Sequence, residues 1–239
     1  MRNFWKAAAI LAALGLSACA TAHPDTGGSA ANDPYAATNR KIFDFDLKMD
    51  GWTLKPTSAA YNRYVPEGIR EAAHNVLTNF DLPVTFANDV LQAEPRRAGQ
   101  TVSRFVVNST LGVAGLFDVA SDFGIPAHTE DFGQTLAVWG VGEGPYLVLP
   151  LLGPYPPRDA VGAVVDFLFD PMLYIRMKQH PWWVLGHRYI KLIDVRARNI
   201  ETLDDIERSS MDYYATTRSL YRQYRAGEIG NGETAPPAP

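Results

Sequence analysis

The chain has 239 residues, with 22 Lys and Arg against 26 Asp and Glu, for a net charge of −4 at pH 7. It has no basic run, which excludes nucleic acid as a partner, and its single cysteine, Cys19, excludes an internal disulfide. Setting both ends aside leaves about 190 residues, enough for one sizeable core.

The first residues carry Arg2 and Lys6 and no acid, then an apolar run from Ala7 to Leu16, then Ser17-Ala18-Cys19. A positive start, a short apolar core and small residues before a cleavage point predict a secretory signal peptide over residues 1–18. The run is too short to span a bilayer, which takes about 20 apolar residues. Leu16-Ser17-Ala18-Cys19 has the form of a bacterial lipobox, so Cys19 is the expected lipidation site. Each buried CH₂ adds about 0.8 kcal/mol, so two or three acyl chains hold a protein firmly to a membrane. Ala20, rather than aspartate, follows the cysteine, which favours the outer membrane. Residues 19–32 read as a lipidated flexible tether, rich in Gly, Ala, Ser and Pro. Residues 33–226 read as the helical domain and 227–239 as a disordered tail.

Asn32-Asp33-Pro34-Tyr35 predicts a turn and a helix start. Asn39 to Leu54 reads as helix, although Phe43, Phe45 and Leu47 also alternate as in a strand. Pro56 starts a second helix to Tyr64, and Pro66 a third to Asn79. Asp81, with Pro83 in the first turn, predicts a separate fourth helix closed by Pro95. Arg96 to Val107 follows, and after the interruption at Asn108-Ser109-Thr110 and Gly112 an apolar stripe resumes to Phe123. Gly124 to Pro157 is dense in Gly and Pro and reads as irregular loop with short extended pieces or a hairpin. Arg158 to Phe169 is a further helix, broken at Asp170-Pro171. From about Trp183 to Ala226 no proline interrupts one long helical stretch.

Catalytic signatures are missing. No Gly-x-Ser-x-Gly, His-Glu-x-x-His or phosphate-binding glycine loop occurs, so no cofactor, metal or enzymatic step is expected. Asp166 with Asp170, and Asp118 with Asp122, fall on shared helix faces, where capping and ion pairing are the plainer roles. The segments 83–91, 102–123 and 158–177 are rich in Phe, Leu and Val. Composition alone leaves open whether they bury one another or face lipid. Tyr174, Trp182 and Trp183 are of the kind that sits at a membrane–water interface.

A set of ordered motifs sharpens this picture: Asn32-Asp33-Pro34-Tyr35, Phe43-Asp44-Phe45-Asp46, Arg104-Phe105 with Asn108-Ser109-Thr110-Leu111-Gly112, and Gly115-Leu116-Phe117-Asp118. Asp131-Phe132-Gly133-Gln134-Thr135-Leu136 and Gly140 through Tyr146 continue the series, running on to Gly153-Pro154 and Arg158-Asp159. In these residues the chain resembles the MlaA/VacJ family of outer-membrane lipoproteins. Asp44 and Asp46 stand where asparagines are common in that family, and Tyr155-Pro156-Pro157 replaces a more polar turn.

The resemblance implies a mainly α fold, a ring-like assembly of amphipathic helices with a Gly/Pro-rich loop region. It implies a lipid-anchored place in the inner leaflet of the outer membrane, facing the periplasm. The expected role is an amphipathic conduit that withdraws misplaced phospholipid from the outer leaflet and hands it to a periplasmic lipid-carrier protein. A trimeric porin is the other expected partner. A structural lipoprotein that braces a porin without moving lipid is the alternative. Irregular backbone at membrane depth is tolerated only where it lines a wet cavity or is buried in protein. The loop is therefore expected to line or gate the channel, through Gly133, Gly140, Gly142 and Gly144, then Pro145, Tyr146, Gly153 and Pro154. Channel-lining candidates within the motifs are Asp44, Asp46, Asn108 and Asp118, with Asp131, Gln134 and Arg158.

Overall fold

The computed structural model describes residues 32–171, 173 and 181–231, with the side chains of 181–185 left out. The expected signal peptide, Cys19 and the tether as far as residue 31 lie outside the described residues, as do Tyr174, the side chains of Trp182 and Trp183, and the last residues of the expected tail. The chain is mainly helical. Among the described residues no helix is long and apolar enough to cross a membrane.

The first helical run is continuous: α1 (Ala36–Met49), a π-helical turn (Asp50–Leu54) and α2 (Lys55–Tyr64). Pro56 sits in the first turn of α2, where its missing N–H is not needed by an α-helical ladder. The alternation at Phe43, Phe45 and Leu47 is helical: Phe43 is buried, and Phe45 is exposed.

Helix α3 spans Glu67–Leu91 and passes straight through Pro83, so the two helices expected on either side of Asp81 are one. A proline inside a helix costs about 3 kcal/mol. Packing offsets it, because α3 lies along α4 (Pro95–Thr110) in the most extensive helix–helix contact of the described residues. The apolar stripe expected after Gly112 is not a helix. Val113, Ala114 and Gly115 all have positive φ (53°, 59° and 89°), and helix resumes only in the short α5 (Val119–Asp122). Asn108 imposes this turn: its carbonyl accepts from Gly115 N at 2.8 Å, and its Oδ1 accepts from Ala120 N at 2.9 Å. A Cβ at Gly115 would also lie 2.8 Å from Asn79 Cβ.

The Gly/Pro region holds one unexpected helix, α6 (Phe132–Val138), and a two-stranded antiparallel hairpin, β1 (Val148–Leu149) with β2 (Gly153–Pro154). Helix α7 (Pro157–Phe169) packs on α6 through glycines: a Cβ on Gly162 would lie 2.3 Å from Gly133 N. The proline-free stretch from Trp183 is three helices, α8 (Pro181–Arg198), α9 (Ile200–Ser209) and α10 (Tyr213–Ile229). The break before α10 is an N-cap, Asp212 accepting from Ala215 N at 3.1 Å. Helix α10 keeps Gly227 to Ile229 helical, past the boundary expected at Ala226.

Buried hydrophobic side chains are few and centre on Phe43, Tyr146, Val148 and Tyr214. Buried polar and charged side chains outnumber them among the described residues. Meanwhile α3, α4 and α7 leave large apolar side chains outside: Phe105 is 40% exposed, Val106 52% and Val164 62%. Among the described residues the apolar segments do not fully bury one another, even though α3 and α4 pack along each other. The molecule is polar within and apolar over much of its surface, the reverse of an ordinary water-soluble domain.

Candidate functional site

A cavity of about 410 Å³ opens between α3, α7, α8 and α10, with the start of α6 and the end of the hairpin closing one side. Its chemistry centres on the first turn of α6. Asp131 caps that helix, its Oδ1 accepting from Gln134 N at 2.9 Å. Asp166 reaches in from α7 and accepts from Phe132 N at 3.0 and 3.1 Å. The end is thereby rich in carboxylate oxygens and poor in free donors.

Arg225 of α10 ties these elements together. It donates to Asp131 Oδ2 at 2.6 Å and Oδ1 at 3.0 Å, and to Asp159 Oδ1 of α7 at 3.1 Å. Asp159 also accepts from Arg158 Nε at 2.9 Å and from the Tyr221 hydroxyl at 2.6 Å. Burial raises the Asp131 and Asp159 carboxyls, but their hydrogen bonds and cationic neighbours outweigh it and hold both below the ordinary carboxylate value. Asp166 goes the other way: burial dominates and raises it. On the far wall, Lys191 pairs with Asp81 at 2.6 Å and Arg188 with Asp170 at 4.0 Å.

A second polar layer supports the wall from behind. Glu130 is held by Arg97 at 2.6 Å and by Gln92 at 2.7 Å, and Thr135 donates to Asn88 at 2.8 Å. Asp89 accepts from Thr101 at 2.6 Å and lies 3.0 Å from His128 Nε2. These bonds fix the α3–α4 pair to the segment that carries α6. No group of three or more His, Cys, Asp or Glu among the described residues could hold a metal ion.

The family model for the MlaA lipoprotein matches residues 31–228. The chain belongs to the MlaA lipoprotein family. It is 31% identical over 229 residues to the intermembrane phospholipid transport system lipoprotein MlaA of Haemophilus influenzae, covering 94% of this chain and 90% of that one. The Escherichia coli protein of the same name is 30% identical over 227 residues, covering 92% and 87%. An uncharacterised protein of Rickettsia bellii is 35% identical over 198 residues, covering 82% and 76%. A solved structure, described as the structural basis for maintenance of bacterial outer membrane lipid asymmetry, superposes with a TM-score of 0.74 at 31% identity. That match covers 82% of this chain and 98% of the other.

In this MlaA-family chain, Asp131, Gln134 and Pro154 line the cavity. Gly133 is packed beneath it, where a Cβ would lie 2.7 Å from Asp159 Oδ1. Arg158 is buried against Asp159 and does not line it. Asn108 and Asp118 line a separate cavity of about 140 Å³, where Arg104 donates to both Asp118 oxygens at 2.7 Å. Asp44 is exposed on α1. Asp46 accepts from Leu151 N at 2.7 Å and so anchors the hairpin turn. In the loop, Tyr146 is fully buried, and its carbonyl accepts from Asn39 Nδ2 at 2.9 Å. Gly140, Gly144 and Gly153 have positive φ, Gly142 is exposed, and neither these four nor Pro145 lines the cavity.

The residues that sequence reading missed are on α8 and α10: Arg188, Lys191, Tyr221, Arg225 and Glu228. A signal was there. Tyr214, Arg218, Tyr221 and Arg225 recur at three- and four-residue steps, a cationic and aromatic stripe on one face of α10.

Proposed function

We propose that this chain is an outer-membrane lipoprotein through which misplaced phospholipid leaves the outer leaflet, the lipid passing from it to a periplasmic carrier in retrograde intermembrane transport. The observation that carries this reading is the inversion of the molecule: a polar cavity enclosed by helices whose outer faces are apolar. A phospholipid joins a charged head to two apolar tails. Stripping water from the head costs several kcal/mol unless polar groups replace it, and the cavity wall supplies such groups. Its volume of about 410 Å³ falls within the roughly 300–1,000 Å³ of small-molecule sites. It suits a head group, leaving the acyl chains to the apolar faces. Membership of the MlaA lipoprotein family and likeness to relatives named for phospholipid transport support the same role.

The Gly/Pro region gates the passage in this account. Its hairpin end reaches the cavity at Pro154 and Tyr155, and a few bonds restrain it, among them Asp46 to Leu151 and Arg222 to Glu143 at 3.1 Å. Lipidation at Cys19 holds the domain at the inner leaflet, and a trimeric porin stands beside it. The porin and the carrier follow from the family resemblance.

The test compares outer-leaflet phospholipid in cells with the gene deleted, complemented, or complemented with Cys19→Ala. Outer-leaflet phospholipid is expected to rise on deletion and to fall again only with the lipidatable form. An unchanged leaflet on deletion, in cells with no related protein, contradicts transport and leaves a bracing role.

A further inference from the structure

The charges on the cavity wall do not balance, and the imbalance is local. Most of the wall's carboxylates have a cationic partner: Asp81 has Lys191, Asp170 has Arg188, and Asp131 has Arg225. Glu130 is matched by Arg97 from behind the wall, and Asp159 by Arg158 as well as Arg225. Two acids of the wall remain, Asp166 and Glu228, and neither makes an ion pair among the described residues. Among the described residues Asp166 accepts from neutral donors, Phe132 N and Asn88 Nδ2, the latter at 2.9 Å. Glu228 accepts from the Thr129 hydroxyl at 3.1 Å and from the Tyr224 hydroxyl, both neutral donors. A carboxylate offers about four lone-pair sites, so both keep room for a further donor.

A second observation at the same helix end points the same way. Gln134 is 1% exposed and lines the cavity. Its Nε2 donates to Asp131 Oδ2 at 3.1 Å, which orients the amide and leaves Oε1 as an acceptor without a partner among the described residues. A buried acceptor left unmade costs about 1–3 kcal/mol. It is satisfied by a ligand group that only donates.

We propose that the cavity selects phospholipids whose head group ends in an ammonium, the phosphatidylethanolamine class, over anionic phosphatidylglycerol; this rests on the conduit reading above. An ammonium brings positive charge and three donors and no acceptor. It meets the acceptor oxygens of Gln134 and Asp166 and the unmatched charge of Asp166 and Glu228. The phosphate, which both lipids share, is met by Arg188 and Lys191, three residues apart on α8 and each about half exposed; with five and three donors, they can reach it while keeping Asp170 and Asp81. Only the terminal group then discriminates. A glycerol end carries no charge to offset the two carboxylates, so the lipid's net negative charge is repelled by them.

The test is competition. The purified full-length lipoprotein is incubated with vesicles of equal phosphatidylethanolamine and phosphatidylglycerol, re-isolated, and its bound lipid is quantified by mass spectrometry. An excess of one sign in a cleft changes the local concentration of charged groups by about tenfold or more; the two unpaired acids attract the ammonium and not the glycerol end, so an enrichment of about tenfold for phosphatidylethanolamine is expected. Asp166→Asn and Glu228→Gln should each lower the ratio of phosphatidylethanolamine to phosphatidylglycerol in the lipid that remains bound. Should Asp166→Asn fail to fold, Glu228→Gln at the cavity rim decides alone. Equal binding of the two lipids, or enrichment unchanged in the folded variants, overturns the selectivity and leaves the conduit intact. A protein that binds neither lipid contradicts the conduit itself.

Discussion

Two buried arginines hold two polar clusters in this molecule, and they do different things. Arg104 sits in a closed cluster. It reaches Asp118 with two bonds of 2.7 Å, the Ile125 carbonyl at 2.5 Å and Ser121 at 3.2 Å, beside a cavity of only about 140 Å³. Here a single acid answers a single base, and the pair fixes a turn. Arg225 sits in an open cluster. It bridges two acids on two elements at the edge of about 410 Å³ of space, with further carboxylates left over. The same residue type is a staple where charges balance around little space, and a wall where acids exceed bases around a large one. An ion pair alone therefore says little about function; the space beside it and the charge remaining after pairing say more.

Breaking the two clusters should separate these roles. The largest effect is expected for Arg225→Met, which strands Asp131, takes one of two cationic partners from Asp159 and leaves the Tyr221 hydroxyl to tie α10 to Asp159 of α7. Asp131 keeps 37% side-chain exposure, but Asp159 is only 6% exposed, and removing one partner of a buried pair costs about 3–5 kcal/mol, so a large fall in thermal unfolding temperature is expected. Outer-leaflet phospholipid should rise as well, since the cavity loses a wall.

Gly162→Ala tests the seat of that wall without touching a charge. Its Cβ would meet Gly133 N at 2.3 Å, and backbone cannot swing aside as a flexible side chain can. Overpacking of this kind costs about 1–3 kcal/mol, and the upper end is expected. Arg104→Met should cost about 1–3 kcal/mol, the penalty for unmade polar groups, because Asp118 keeps 31% side-chain exposure and can turn to water. At a temperature where the variant remains folded, lipid balance should stay as in wild type. A rise in outer-leaflet phospholipid there would erase the distinction between the clusters.

The smallest effect concerns the junction of the N-terminal segment with α10. Burial raises the Asp33 carboxyl, but hydrogen bonds from Tyr214, Asn39 and Arg218 outweigh it and hold Asp33 below its ordinary value. The folded value thus lies below the unfolded one. Its stabilisation is present above the unfolded value, near pH 4, and is lost as pH falls through the folded value. Asp33→Asn should lower stability at neutral pH and flatten the acid limb of a stability–pH curve measured by urea unfolding.

How much of this could be read from residues alone depends on what set each feature. Helix α7 was legible because Pro157 and Asp170-Pro171 bracket it and its apolar positions are dense. Helix α3 was misread as two because Pro83 is a local signal, whereas the packing along α4 that overrides it is not local. The turn at 113–115 was misread as helix because its apolar spacing fits a stripe. Its cause is Asn108, which bonds to residues up to 12 positions away. Asp131 and Gln134 were legible as candidates from a motif, and a cap with a glutamine three residues on is itself a helix-start signature. Arg225 lies on a stripe that marks one face of α10, but neither that stripe nor anything around Lys191 says that the face meets a carboxylate 94 or 110 residues earlier.

The most direct test of the central claim is to fill the cavity and read the leaflet. Ala163 lines it from α7. Ala163→Trp, expressed at wild-type level and membrane-associated, should leave outer-leaflet phospholipid as high as in cells lacking the gene. If that variant restores the leaflet as fully as the wild-type chain does, lipid does not pass through this cavity and the account is wrong.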